Sequence, residues 1–146
     1  MPQGRQDFRT HPRYIPGFHF LFSGILAVNF VWAIVHLFRA GLSFDSAWTV
    51  VMAFAFLHVF YYMRQFATRN QDRVIRLEMR VRLKELLPSE LRGRIGELST
   101  SQLIGLRFAS DAELPALVRR VLDERIDERT PIKKLVTDWQ PDFQRV

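Results

Sequence analysis

The chain has 146 residues, enough for one domain or for a membrane anchor carrying a small domain. It contains no cysteine, which excludes disulfides, thiolate metal sites and thiol nucleophiles. Its net charge of +6 is gathered at the two ends of an apolar region rather than spread over a folded surface, a pattern that argues against a nucleic-acid partner and for a membrane protein.

The first sixteen residues form a basic tail, with Arg5, Arg9 and Arg13 against Asp7. Gly17 to Phe38 (GFHFLFSGILAVNFVWAIVHLF) then runs for 22 residues without a formal charge. As a helix it would reach about 33 Å, the thickness of a bilayer core. Its apolar residues occupy every face, so it is not an amphipathic surface helix. A chain this small has too little material to wrap it as a soluble core helix. The run is also longer than the apolar core of a signal peptide, and a second apolar run follows it, so cleavage is not expected.

The second run is Phe44 to Met63 (FDSAWTVVMAFAFLHVFYYM), uncharged from Ala47 onward. Asp45 or Ser46 is the expected cap of its start. Trp48 near one end, and Tyr61 and Tyr62 near the other, suit the headgroup level of a membrane. The linker RAGLSFDS is short enough to force an antiparallel hairpin. Both outer flanks are rich in Arg, whereas the linker has one Arg and one Asp. The positive-inside rule therefore predicts that both termini are cytoplasmic and that the short linker lies outside.

Residues 64–87 form a basic juxtamembrane segment, in which positions 64–84 carry seven Lys or Arg against Asp72 and Glu78. Its centre, RVIRLEMRVRLKELL, fits both a strand period and a helix period. Its residue types are good helix formers, and Asp72–Arg76 and Glu78–Arg82 have the spacing of helical ion pairs. A helix continuing from the second span is expected, with a bend near Thr68-Arg69-Asn70. Arg64, Arg69 and Arg73 leave the bilayer first and are the candidate contacts to anionic lipid headgroups. Two apolar stripes lie beyond them, Val74/Leu77/Val81 and Ile75/Met79/Leu83/Leu86, and must pack on the tail or on a partner.

Residues 88–146 read as a small cytoplasmic helical domain. Pro88 ends the long helix and opens another over Ser89–Ile95, which Gly96 stops. Thr100 is the expected cap of Ser101–Ala109. Ser110-Asp111-Ala112-Glu113 has the form of a capping box opening a helix to about Asp127. Thr130-Pro131 opens a last helix to about Thr137. Residues Trp139 to Phe143 are expected to be irregular. The fold class is thus an all-α membrane protein, a two-span hairpin followed by a helical cytoplasmic domain.

Four stretches together resemble a bacterial family of small, uncharacterised two-span membrane proteins: HPRYIPGFHF, QDRVIRLEMRVRLKELLPSELRGRIGELS, SQLIGLRFASDAELPALVRRVLDE and WQPDFQRV. The resemblance implies the hairpin-plus-tail architecture and no activity.

No catalytic pattern is present: no glycine-rich phosphate loop, no HExxH and no nucleophile elbow. The acidic residues of the tail alternate with Arg, as on a solvated helix face. Within the spans lie His19, Asn29, His36 and His58, and polar groups there usually face protein or a ligand. In a hairpin His19 and His58 fall at similar depth, an arrangement that suits haem iron, while one of them suits a chlorophyll magnesium; His36, near the opposite face, is a further candidate ligand. The plainer reading leaves His19 and His36 at wet interfaces and lets His58 bond a neighbouring helix. Ser23 and Ala27 form a small-xxx-small pair suited to a close helix contact.

Asn29 is a candidate partner contact, and so are Trp139 and Phe143, because aromatics dominate interface hot spots. No cofactor is required. The expected function is a non-catalytic accessory subunit of a larger inner-membrane complex, of the respiratory or photosynthetic kind. The alternatives are a small haem- or chlorophyll-binding membrane protein and a membrane-surface adaptor that recruits a soluble partner.

Overall fold

The computed structural model describes Phe8 and residues 15–141. The described chain is helical. A π-helical stretch, Gly17–Phe22, leads into α1 (Ser23–Ala40). There follow α2 (Phe44–Leu86), α3 (Ser89–Arg92), a 3-10 turn at Ile95–Glu97, α4 (Thr100–Leu106), α5 (Leu114–Asp123) and α6 (Arg129–Leu135). The ambiguous stretch after Arg73 is helix, as its composition demands. The helix is uninterrupted through Thr68-Arg69-Asn70, where Thr68 Oγ1 donates to Arg64 O at 2.9 Å. The chain divides into two compact units, and the division falls inside α2, between Thr68 and Arg69.

In the first unit, α1 and the first half of α2 are joined by only three residues. Gly41 has φ +79°, a left-handed conformation that favours glycine. Ser43 and Ser46 then cap α2 reciprocally: Ser46 N donates to Ser43 Oγ (3.2 Å) and Ser43 N donates to Ser46 Oγ (3.0 Å). Ser43 therefore takes the capping place expected of Asp45 or Ser46. The hydroxyl of Ser46 also donates to Gly41 O at 2.7 Å, so the turn is internally satisfied.

The helices meet through aromatic pairs, Phe18 on Phe60 at 4.4 Å and Phe30 on Phe54 at 6.4 Å. Ala33 and Ala53 are small residues covered at this contact, and Ser46 is covered at the turn. Ser23 is half-buried and Ala27 is exposed.

The second unit has a conventional hydrophobic core. Ile75, Met79 and Leu83 form a buried stripe on α2 at helical spacing, continued by Leu87 just past its end. They pack in one cluster with Leu91, Ile95, Leu98, Leu103, Leu106, Phe108 and the buried faces of α5 and α6. The other stripe of the same helix, Val74/Leu77/Val81, stays exposed.

The helix starts differ from expectation for local reasons. At α4 the cap is Ser99, not Thr100, since only Ser99 has a Gln three residues on to complete a capping box. The same Gln102 is buried, and its Nε2 donates to Ile126 O at 3.0 Å. At α5 half of the expected box forms, with Glu113 N donating to Ser110 Oγ at 3.4 Å. The Glu113 carboxylate turns away to accept from Thr137 N and Oγ1 (both 2.9 Å) and Asp138 N (3.0 Å). The helix ends at Asp123 rather than near Asp127, because Arg125 adopts φ +51° and Ile126 N closes back on Val121 O at 3.0 Å. A left-handed stop at an arginine has no glycine to announce it. At α6 the N-cap position is Glu128, two residues ahead of the expected Thr130.

Helices α4 and α6 cross at Gly105. A Cβ there would sit 2.8 Å from Ile132 Cβ and Cγ2, so the close approach depends on the missing side chain.

Candidate functional site

The residues singled out by the sequence separate into an apolar set in the first unit and a polar set in the second. His58 is exposed, and its Nδ1 lies 3.2 Å from Phe54 O on its own helix. The bond expected to a neighbouring helix is made within α2 instead, because the carbonyl one turn earlier is nearer. In the tautomer whose Nδ1–H donates there, Nε2 carries the lone pair. The ring is flanked by Phe54 at 4.2 Å and by Tyr62 at 6.5 Å.

His19 is half-buried, with Nδ1 3.1 Å from Ile15 O and its ring edge-on to Phe18 at 5.4 Å. His36 stacks on Trp32 at 5.3 Å with nearly parallel planes. Among the described residues no group of three or more His, Cys, Asp or Glu side chains is arranged to hold a metal ion. An open groove of about 390 Å³ between α1 and α2 is lined by Phe18, Phe22, Leu26, Phe56, Val59, Phe60 and Met63, none of which can ligate through nitrogen or oxygen. Asn29 is half-buried and lies in a second shallow groove on α1 beside Gly24, Val28 and Trp32.

Of the three basic candidates, Arg64 is half-buried in the first unit, whereas Arg69 and Arg73 are exposed in the second. Phe143 lies outside the described residues, as do Arg5, Arg9 and Arg13. Trp139 meets the chain's own core. Its ring lies 4.9 Å from that of Phe108, and its Nε1 donates to Val136 O at 3.0 Å. Around it the terminal segment is stitched to residues 108–110. Ser110 N donates to Asp138 O at 3.0 Å and Gln140 N to Phe108 O at 2.7 Å, forming a single antiparallel bridge between Ala109 and Trp139.

One functional-looking residue escaped sequence reasoning. Arg82 was expected to pair with Glu78 one turn earlier; instead its guanidinium reaches into the tail. It donates to Asp111 Oδ1 (2.8 Å), Arg107 O (3.2 Å), Ala109 O (2.7 Å) and Gln140 Oε1 (2.6 Å). The planar fork of arginine suits this divergent set of acceptors in a way an ammonium does not. No local pattern announces it, since the partners lie 25 to 58 residues away. Elsewhere Arg94 is forked between Glu97 and Asp123, whose hydrogen bonds raise its pKa above the ordinary arginine value.

The geometry defines a protein that is helical over its described residues, with two helices, Gly17–Ala40 and Phe44–Leu86, long and apolar enough to cross a membrane. The chain belongs to a family of unknown function, DUF6526, whose model matches residues 1–146. No curated protein and no solved structure matches the chain.

Proposed function

We propose that the protein is a membrane-anchored, non-catalytic accessory subunit of a larger inner-membrane complex. In this reading α1 and the first half of α2 cross the bilayer as a hairpin, both termini are cytoplasmic, and the helical second unit is presented at the cytoplasmic surface.

The observation that carries the reading is the inverted burial of the two units. Only 6 % of the most apolar window of the first helix and 11 % of that of α2 is buried. A core helix of a soluble protein would be mostly covered, and so large an exposed apolar surface calls for lipid or protein around it. The second unit, apart from the exposed stripe Val74/Leu77/Val81, buries most of its large apolar residues in one core. Arg64, Arg69 and Arg73 would meet anionic headgroups at the exit of the second span, each contributing about 1 kcal/mol near the surface. Asn29, half-buried in an otherwise apolar groove, is the candidate for a polar contact with a core subunit.

The test is purification of the tagged protein from its native membrane in mild detergent, followed by a native gel and an absorption spectrum of the band. Migration with a large assembly is expected, and the co-migrating chains identify the host. A small, colourless species would refute the accessory reading and leave a membrane-surface adaptor. The haem or chlorophyll reading keeps one observation in its favour, the engaged Nδ1 of His58 with Nε2 left for a metal. A visible absorption band abolished by His58→Ala would establish it.

A further inference from the structure

The exposed stripe of α2 in the second unit has an order that exposure alone does not require. Val74, Leu77 and Val81 are 51 %, 62 % and 59 % exposed, although the opposite side of the same helix is fully committed to the core through Ile75, Met79 and Leu83. The spacing of three then four residues is that of a heptad seam, with Val74 and Val81 at a and Leu77 at d. Valine at a with leucine at d is the combination that favours two parallel strands.

The flanks carry the second half of the pattern. In this register Arg73 and Arg80 stand at g, and Glu78 and Glu85 stand at e. One edge of the stripe is therefore basic and the other acidic. In a parallel two-stranded pair the g residue of one helix faces the e residue of the next heptad of the other, five positions on. Arg73 would face Glu78 and Arg80 would face Glu85, twice each by symmetry. An antiparallel pair would set basic edge against basic edge. Among the described residues none of these four side chains takes part in an ion pair, and Arg80 Nε is buried without a hydrogen-bond partner. Glu78 is free because Arg82, its neighbour at helical spacing, is taken by Asp111.

We infer that the face of α2 from Arg73 to Glu85 pairs with the same face of a second copy of this chain, in parallel and in register. The two-fold axis then runs along the helices, the one arrangement in which two chains inserted the same way into one bilayer can pair face to face. The apolar seam is only about two turns long and ends at Lys84, too short to hold by itself in dilute solution. Confinement to a common membrane raises the effective concentration of the second copy. The common insertion and the raised effective concentration rest on the membrane reading; the register rests on α2 alone.

The test is oxidative cross-linking of single-cysteine variants of the full chain, made in its own membrane, where the absence of native cysteine gives a clean background. Val74→Cys, Leu77→Cys and Val81→Cys are each expected to form disulfide dimers, and Arg76→Cys is not. A mixture of Val74→Cys and Val81→Cys chains should give little mixed product, since two a positions one heptad apart lie about 10 Å apart along the axis, beyond disulfide reach. On the Val74→Cys background, Glu78→Arg is expected to lower dimer yield several-fold, and adding Arg73→Glu should restore it. Circular dichroism confirms that each variant stays helical.

Absence of dimer at all three seam positions in folded chain, abundant mixed product, failure of the charge exchange, or cross-linking to a different protein in place of a second copy would overturn the inference. Carbonate extraction of the same samples reads membrane insertion separately. A chain released by carbonate refutes the membrane reading, and its cross-linking pattern still decides the seam.

Discussion

Replacing Arg82 by alanine should detach the terminal segment from the second unit. The guanidinium is 19 % exposed and serves four acceptors, whose worth differs with their surroundings. Asp111 is 64 % exposed, so solvent screens that ion pair to below about 1 kcal/mol. Gln140 is exposed and contributes little more. The two carbonyls of Arg107 and Ala109 are the larger part, because a hydrogen bond from a charged donor contributes about 1.5–3 kcal/mol and an abandoned buried acceptor loses its solvation as well. Allowing for water entering the space left by the side chain, the loss is about 3 kcal/mol.

The readout is amide hydrogen exchange of the full chain in detergent, at Ser110 N and Gln140 N, the two donors of the Ala109–Trp139 bridge. A loss of about 3 kcal/mol corresponds to roughly a 100-fold fall in protection. Arg82→Lys keeps the charge but not the fork, and should recover less than half of the loss on a logarithmic scale. A fall of less than about fivefold for Arg82→Ala would show that the bridge holds without the guanidinium. Full recovery by lysine would show that charge, not geometry, is what matters.

Gly105→Ala sets two effects against each other: the added Cβ meets Ile132 at 2.8 Å, an overpacking cost of about 1–3 kcal/mol, against a gain in helix propensity of about 1 kcal/mol. Net destabilisation by about 1 kcal/mol is expected in urea unfolding of the second unit, and a stabilised variant would disprove the tight α4–α6 crossing. Leu83→Ala removes a fully buried side chain and should destabilise by about 2–5 kcal/mol. Leu77→Ala, one face away, should change the same denaturation midpoint by less than about 0.5 kcal/mol in dilute detergent, where chains are apart. A large effect at Leu77 under those conditions would mean that this stripe packs within the single chain.

How much was legible can be judged along α2. Its existence as one long helix followed from residue types, and the candidate spans followed from length and lack of charge, since both properties are carried locally. Which of its two apolar stripes would be buried did not follow, because both satisfy helical spacing equally well. The same holds for Trp139, an aromatic in an irregular terminal segment that reads equally as a docking anchor or as a core residue. Its ring lies on Phe108 because Ser110, Gln140 and Arg82 hold the segment there. For the histidines the sequence supplied position along the span and nothing about partners, and the carbonyl one turn earlier proved the partner of His58.

The amino-acid sequence by itself determined that this protein is helical, that two of its helices are apolar enough to cross a membrane, and that its charge sits at their ends. Composition and period act within a few turns, so no tertiary knowledge is needed to read them. Only the tertiary structure decided that Arg82 leaves its helical neighbour for acceptors far along the chain. It alone decided that Glu113 caps the terminal segment rather than its own helix, and that Gly105 admits Ile132. Each of these is a contest between a local partner and a distant one. The distant partner wins only once packing has brought it within hydrogen-bond or van der Waals range, and no local pattern records that.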